Sequence, residues 1–172
     1  MLLKAQWRRI VLTLTFAAVA IAGVITAGPR PPRLIWNATA SAPIGLYAVR
    51  PIQILFCGEL VLAKLPTKTA RLAARRGYLP MGVPVVKRIA GLSGDQICAY
   101  GQTVWRNGRV LATRLLADSR NRPLPRWQGC RRLGRQDVFL LMAHKRYSFD
   151  SRYFGPVRRA AIIGRLVPLW LR

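Results

Sequence analysis

PVVKRIA, residues 84–90, is a run of β-branched and small apolar residues interrupted by Lys87 and one arginine. Side chains alternate between the two faces of a strand, so Lys87 shares a face with Val85 and Ile89. Burial there disfavours the ammonium form, and a lysine whose pKa falls to about 7–8 is a usable general base. Snorkelling of the side chain to a rim, or exposure on an edge strand, is the alternative that this stretch alone leaves open.

Short apolar runs bounded by turn residues continue on both sides of this stretch. They predict further strands at residues 45–49, 60–64, 103–106, 138–142 and 162–167.

Two turn and helix signals complete the pattern. Asn107-Gly108 stands between TVWR and RVLA and predicts a type I′ hairpin, because both residues tolerate positive φ. One helix is expected to begin at Thr67 as its N-cap and to stop at Gly77. The arginine- and proline-rich residues 120–135 predict an exposed loop. The part of the chain after the N-terminal segment is therefore expected to be mainly β.

Composition limits the partners more than the chemistry. The chain has 172 residues, 52% of them apolar, with 12 Pro and 14 Gly, which excludes a disordered chain and a helical bundle. Twenty-nine Lys and Arg against five Asp and Glu give a net charge of +24, which suits anionic partners such as phospholipid or nucleic acid. An arginine-rich genome would produce the same charge, so nucleic-acid binding does not follow from it.

The N-terminal segment predicts a membrane anchor. Residues 10–28, IVLTLTFAAVAIAGVITAG, contain no charge, and a helix of that length spans about 28 Å. The three cations within residues 4–9 are expected to stay in the cytoplasm. We therefore expect residues 1–28 to form a cytoplasmic tip and anchor, and residues 29–172 to form a domain on the outer, periplasm-like side. A cleavable secretory signal, with small residues at 20–22, is the alternative.

Three cysteines would face an oxidising compartment in this topology, and the odd number leaves one unpaired. Cys98 with Cys130 is the preferred disulfide, because it closes 32 positions that have little core of their own and would stabilise the fold by roughly 3–4 kcal/mol. Pairing with Cys57 remains open. One histidine and three scattered cysteines offer no close ligand pair, so no metal site is predicted.

A candidate nucleophile lies in NATASAPIGLY, residues 37–47. Thr39, Ser41, Pro43 and Gly45 alternate there, and such a segment can hold Ser41 on a constrained turn. The hydroxyl of Thr39 and the amide of Ser41 would then both point at one developing oxyanion. Taken alone, the segment is only a turn.

Three blocks resemble the signal peptidase I family of serine–lysine proteases, and most closely its TraF-type members from conjugative plasmids and integrative elements. The blocks are TASAPIGLY at 39–47, VKRIAGLSGD at 86–95 and SFDSRYFG at 148–155. The first lacks the methionine of the usual Ser-Met-x-Pro pattern and its proline comes one residue earlier, which favours the conjugative branch. In the second, Ser93 replaces a proline. The acidic stretch that commonly precedes the third is replaced by residues 142–147.

The resemblance implies a signal-peptidase-like β catalytic domain in which Ser41 is the nucleophile and Lys87 the general base. Thr39 would support the oxyanion, and no cofactor is implied. The substrate would be an exported precursor with small residues before the cleavage site, a conjugative pilin, with head-to-tail cyclisation as a further possibility. The enzyme would be a single-pass protein of the bacterial inner membrane, in contact with membrane lipid and with no need for nucleic acid.

The same resemblance assigns supporting roles to the third block. Ser148 would hydrogen-bond to the lysine and orient it, and Asp150 and Arg152 would form a supporting ion pair. Residues 96–136, with the predicted hairpin and the arginine-rich loop, would be a small non-catalytic insertion.

Three alternatives remain. A non-enzymatic basic membrane scaffold of a conjugation apparatus, binding nucleic acid or acidic lipid, explains the charge but not Ser41 and Lys87 in their blocks. Ser41, His144 and Asp150 could form a hydrolase triad, although the lysine block accounts for more residues. A self-cleaving repressor is disfavoured, since nothing resembles a DNA-reading helix pair.

Overall fold

The computed structural model describes residues 6–7, 10–19 and 32–172. The chain divides into two compact units, Met1–Pro31 and Pro32–Arg172. In the first unit, residues 10–19 are helical. Among the described residues, no helix has both the length and the apolar character needed to span a membrane. The predicted anchor continues beyond residue 19, and that remainder lies outside the described residues.

Strands dominate the second unit, so the mainly β fold is confirmed. The eleven strands within residues 32–172 are β1 Leu34–Asn37, β2 Gly45–Arg50, β3 Leu60–Ala63, β4 Val85–Gly91, β5 Gln96–Tyr100, β6 Thr103–Arg106, β7 Arg109–Thr113, β8 Gly129–Arg132, β9 Asp137–Leu141, β10 Val157–Arg158 and β11 Ile162–Leu171. The helices of this unit are α1 Thr67–Arg75, α2 Ser151–Phe154 and a single 3₁₀ turn at Arg159–Ala161.

The strands form two antiparallel sheets. The larger has the order β1-β2-β11-β3-β4-β9-β10, and the smaller has the order β7-β6-β5-β8. Two apolar clusters pack against the larger sheet, one centred on Leu62 and the other on Ile89 and Leu140. A third, around Ile97 and Phe139, joins the smaller sheet to β9. The larger sheet is therefore the rigid support for whatever side chains its central strands carry.

Strand β4 lies between β3 and β9, in the interior of the larger sheet. Lys87 faces Val61 of β3 in the register, and its side chain is only 3% exposed. The structure excludes both alternatives for this lysine. Lys87 is not exposed on an edge strand, because β4 is an interior strand, and its side chain does not snorkel to a rim, because it is buried.

The insertion is more regular than predicted. Asn107 has φ 52° and Gly108 has φ 79°, so the hairpin turn is confirmed. The hairpin belongs to a four-stranded sheet, however, and the expectation of a small hairpin with a loop was wrong. Its fourth strand, β8, comes from the segment predicted as an exposed loop, because Gly129–Arg132 pair with β5. Cys98 and Cys130 lie directly opposite each other in that pair and form a disulfide, whereas Cys57 is free and exposed.

The predicted helix begins differently from expectation. Thr67 is the first helical residue of α1, and the N-cap is Pro66, which makes no side-chain capping bond. A proline fixes its own φ near the helical value and therefore starts the helix without a hydroxyl cap. Gly77, at φ 71°, follows the helix end as predicted.

Candidate active site

A cavity of about 640 Å³ opens beside the larger sheet. Its walls are largely apolar, and four polar side chains reach it from the three blocks of the sequence. These side chains are Thr39, Ser41, Lys87 and Ser148. They come from the β1–β2 turn, from β4 and from the loop before α2, so the fold assembles in one place residues that are far apart in the chain.

Asn37, at the end of β1, holds the turn that carries Ser41. Its Nδ2 donates to the carbonyls of Thr39, Ala42 and Pro43 at 3.0, 3.2 and 2.9 Å. Its Oδ1 accepts from the Thr39 hydroxyl at 2.9 Å. The sequence analysis gave Asn37 no role, although asparagine two residues before a threonine is a signal for a side-chain-stabilised turn.

The Ser41 hydroxyl is hydrogen-bonded to the Thr39 hydroxyl, and the two oxygen atoms are 3.1 Å apart. Within the described part of the chain no hydrogen bond joins Ser41 to Lys87, and the Ser41 amide donates to no protein acceptor. Both Ser41 and Lys87 line the cavity, so a rotation of the Ser41 side chain is the movement that brings its hydroxyl away from Thr39.

Lys87 is buried and its Nζ donates to Ser148 Oγ at 2.9 Å. Burial lowers the pKa of Lys87 to about 8, against the opposing influence of the Asp150 carboxylate, while the Arg152 cation lowers it further. A substantial fraction of this amine is therefore neutral near pH 8, as a general base requires.

Asp150 and Arg152 form a buried bidentate ion pair, with Arg152 Nε and Nη2 each 2.9 Å from one carboxylate oxygen. The side chains are 0% and 2% exposed. Arg152 Nη2 also donates to the carbonyls of Lys145 at 2.8 Å and Ser148 at 3.3 Å. The pair thus holds the loop that presents Ser148 to the lysine.

His144 is exposed and makes no hydrogen bond within the described residues. The Asp150 carboxylate is bound to Arg152 and to the Met142 amide instead. The structure does not bring Ser41, His144 and Asp150 together as a triad.

Comparison with known proteins shows the family of this chain. A family model described as signal peptidase, peptidase S26, matches residues 5–170. The chain belongs to the signal peptidase family. This S26 chain is of the TraF type: a plasmid transfer protein TraF from Escherichia coli is 34% identical over 77% of this chain and 80% of its own length. A second TraF from the same species is 32% identical over 85% and 89%.

A solved signal peptidase I from Enterococcus faecalis V583 is also similar to this S26 chain, at 24% identity and a TM-score of 0.41. The match covers 67% of this chain and 99% of that one.

Proposed function

We propose that this chain is a membrane-anchored serine endopeptidase that processes an exported precursor, a conjugative pilin, with Ser41 as nucleophile and Lys87 as general base. The observation that carries the proposal is a buried lysine of lowered pKa opening onto the same cavity as Ser41, in a chain of the signal peptidase family. Residues 1–28 would anchor the enzyme in the inner membrane and leave the domain of residues 29–172 in the periplasm.

The reaction begins when the Ser41 hydroxyl leaves Thr39 and turns to Lys87. Neutral Nζ takes the hydroxyl proton as Oγ attacks the scissile carbonyl carbon. The carbonyl oxygen becomes an oxyanion. The Ser41 amide donates to it, and so does the Thr39 hydroxyl once that hydroxyl has turned away from Asn37 Oδ1. The resulting ammonium at Lys87 then gives its proton to the leaving amine, and an acyl-enzyme remains on Ser41.

The acyl-enzyme is resolved by water or by an amine. Water attacks the ester carbonyl, loses a proton to Lys87 and releases a linear carboxylic acid. If the amino group at the other end of the acylated segment attacks instead, it loses a proton to Lys87, the ester bond to Ser41 breaks, and a new amide bond closes the product into a ring. Ser148 accepts a hydrogen bond from Lys87 in the resting enzyme and so directs the lone pair of the neutral amine toward Ser41.

Strand β1 is the feature that suits an extended peptide. It is the terminal strand of the larger sheet and lines the cavity through Ile35, Trp36 and Asn37. Its outer edge pairs with no other strand of the described residues, so its backbone groups can pair with a peptide. A peptide bound there would pass Ser41, which follows β1 by four residues.

The test compares Ser41→Ala and Lys87→Ala in cells that make the pilin precursor. Both variants are expected to leave the precursor uncut, while Ser93→Ala and Lys64→Ala, which change exposed residues, process it normally. Mass spectrometry of the product distinguishes hydrolysis from cyclisation, because the cyclic product is lighter than the linear product by one water. Normal processing by both active-site variants would remove the proposal.

The second candidate is a basic scaffold of a conjugation apparatus that binds nucleic acid or acidic lipid, and the net charge of +24 favours it. A scaffold of this kind would keep its full function in the Ser41→Ala variant. Its affinity for nucleic acid would also fall steeply with salt, because binding releases counterions from the phosphates.

A further inference from the structure

The insertion contributes a wall to the cavity. Residues 115–124, the 115–124 loop, lie between β7 and β8, and Leu115, Asp118, Ser119 and Leu124 line the cavity. The loop folds back on itself, since the Leu124 amide donates to the Leu116 carbonyl and the Asp118 amide to the Arg122 carbonyl, both at 2.9 Å. A part of the insertion expected to be non-catalytic therefore borders the space that a substrate would fill.

A second wall comes from the segment after α1, where Tyr78, Leu79 and Val83 line the same cavity. The two walls are joined by one cluster of side chains, here called the Asp118 clamp, made of Arg76, Tyr78, Asp118 and Arg122.

Asp118 is the centre of this clamp. Its Oδ2 accepts from the Tyr78 hydroxyl and, at 2.7 Å, from Arg122 Nε. Its Oδ1 accepts from the amides of Arg120 and Arg122 at 2.9 and 3.0 Å. Burial alone would raise the pKa of Asp118, but the hydrogen bonds from Tyr78 and Arg122 lower it below its ordinary value. The carboxylate is therefore charged throughout the working pH range.

Arg76 adds two further ties between the walls. Its Nη2 donates to the Pro123 carbonyl at 2.9 Å, and its own carbonyl accepts from Arg122 Nη2 at 3.2 Å. Among the described residues, Asp118 is the only acidic one on the cavity lining, and its carboxylate is already bound by two arginines and a tyrosine. It is consequently unsuited to binding a cationic substrate and suited to holding the two walls at a set separation.

We propose that the Asp118 clamp sets the separation of the two walls and so the size of side chain that the cavity accepts from a bound peptide, which makes Asp118 and Tyr78 specificity-determining residues. The inference rests on the proposed peptidase function. In the part of the chain that the structure describes, no hydrogen bond or ion pair joins the clamp to Ser41 or Lys87. Loss of the clamp therefore changes how tightly and how selectively a peptide binds, and leaves the chemical step intact.

The test uses the full chain, with two synthetic peptides that differ by alanine or leucine before the cleavage site. The variants are Asp118→Asn, Tyr78→Phe and their combination. Asp137→Asn is the matched control, because that carboxylate also faces two arginines, Arg131 at 3.7 Å and Arg158 at 3.5 Å, but lies off the cavity.

Asp118→Asn is expected to lower the preference for alanine over leucine by roughly tenfold, the scale on which a fitted apolar pocket discriminates. KM for the alanine peptide rises and kcat stays within about twofold. Tyr78→Phe acts in the same direction. The double variant adds little to the larger single effect, since both changes disrupt the same hydrogen bond between Tyr78 and Asp118. Unchanged selectivity in Asp118→Asn, or a fall in kcat alone, overturns the proposal.

A second measurement keeps this inference separate from the proposed function. Hydrogen exchange of the 115–124 loop is expected to be faster in Asp118→Asn than in the wild-type protein and in Asp137→Asn. If the wild-type protein cuts neither peptide, the proposed function fails, and the clamp is judged by this exchange and by the relative affinities for the two intact peptides. Equal exchange in all three proteins refutes the clamp even where cleavage is normal.

Discussion

Lys87 Nζ donates a 2.9 Å hydrogen bond to Ser148 Oγ across 61 positions of sequence, and each side chain is 3% exposed. A buried amine bound to a neutral hydroxyl, with no carboxylate in direct contact, is easily deprotonated. This relationship connects the fold to the chemistry, because the strand that buries the lysine also sets the pH at which it can act as a base.

The first prediction concerns the pH dependence of cleavage. Because burial lowers the pKa of Lys87 to about 8, kcat/KM is expected to rise with pH and reach half its maximum near pH 8. Lys87→Arg should be inactive at every pH tested, since a guanidinium stays protonated. A profile that is flat between pH 6 and pH 9, about two units on either side of this pKa, would be inconsistent with a lysine base.

The second prediction concerns stability. The unfolded chain keeps the Lys87 proton up to about pH 10.5 and the folded chain only up to about pH 8, so the unfolded state binds more protons between these values. Stability contributed by this residue therefore rises with pH across that window and is constant below it. The free energy of unfolding of the wild-type protein, measured in urea, should rise relative to that of Lys87→Met by on the order of 3 kcal/mol across this window. A parallel pH dependence of the two proteins would refute this.

The third prediction is that Ser148→Ala lowers kcat by about ten- to a hundredfold with little change in KM. The lysine would lose the acceptor that directs its lone pair, while the walls that bind the peptide stay in place. Steady-state kinetics with a peptide substrate would measure this split. Ser93→Ala, which removes an exposed hydroxyl in a turn, is the control and should match the wild-type protein.

The fourth prediction is that Asp150→Asn costs about 3–5 kcal/mol of stability, because it leaves the buried Arg152 cation without its partner. Since the Asp150 charge raises the pKa of Lys87, any residual activity should also show its half-maximum at lower pH. Chemical denaturation measures the first effect and the rate profile measures the second.

Glu59→Gln is the control for the ion pair. Its arginine partner, Arg165, is 3.9 Å away and half exposed, so this change should cost less than about 1 kcal/mol. An equal loss of stability in Glu59→Gln and Asp150→Asn would contradict the prediction, because it would mean that burial does not increase the cost of breaking the Asp150–Arg152 pair.

The fifth prediction concerns the disulfide. Of the strands that the structure describes, β8 pairs with β5 alone, and Cys98–Cys130 closes a separation of 32 residues. Replacing both cysteines by serine should therefore cost roughly 3–4 kcal/mol. Cys57→Ser, which changes the free exposed cysteine, should leave the unfolding midpoint unchanged. If the double variant were as stable as the wild-type protein, the small sheet would not depend on this bond.

Alternation and turn residues predicted six of the eleven described strands within a residue or two: β2, β3, β4, β6, β7 and β9. They did not predict β1, β5, β8 or β10, and they ended β11 four residues early. Strand β1 is only four residues long and is stabilised by pairing with β2, which lies beyond a turn that carries Ser41. Strand β11 continues to Leu171 past Pro168, and a register shift between Pro168 and Trp170 accommodates that proline. Local patterns favour ending a strand at proline, whereas here pairing with β2 extends β11 past Pro168.

Site residues in the three blocks were predictable, but the residues that hold them were not. Asn37 has an ordinary turn signal, and only the folded turn reveals that it holds three carbonyls and the Thr39 hydroxyl. Asp118 lies in a segment with no motif, and its contact with Tyr78 joins positions 40 residues apart. Contacts of that range depend on strand order, which local periodicity does not encode.

The amino-acid sequence alone determined the mainly β class, the Asn107-Gly108 hairpin and the presence of a serine, a lysine and an acidic–arginine pair in recognisable blocks. Tertiary structure alone decided that Lys87 lies on an interior strand rather than an edge, that Asn37 holds the turn of Ser41, and that the insertion lines part of the cavity. The physical reason is that burial and electrostatic environment are properties of the packed neighbours, which come from distant parts of the chain.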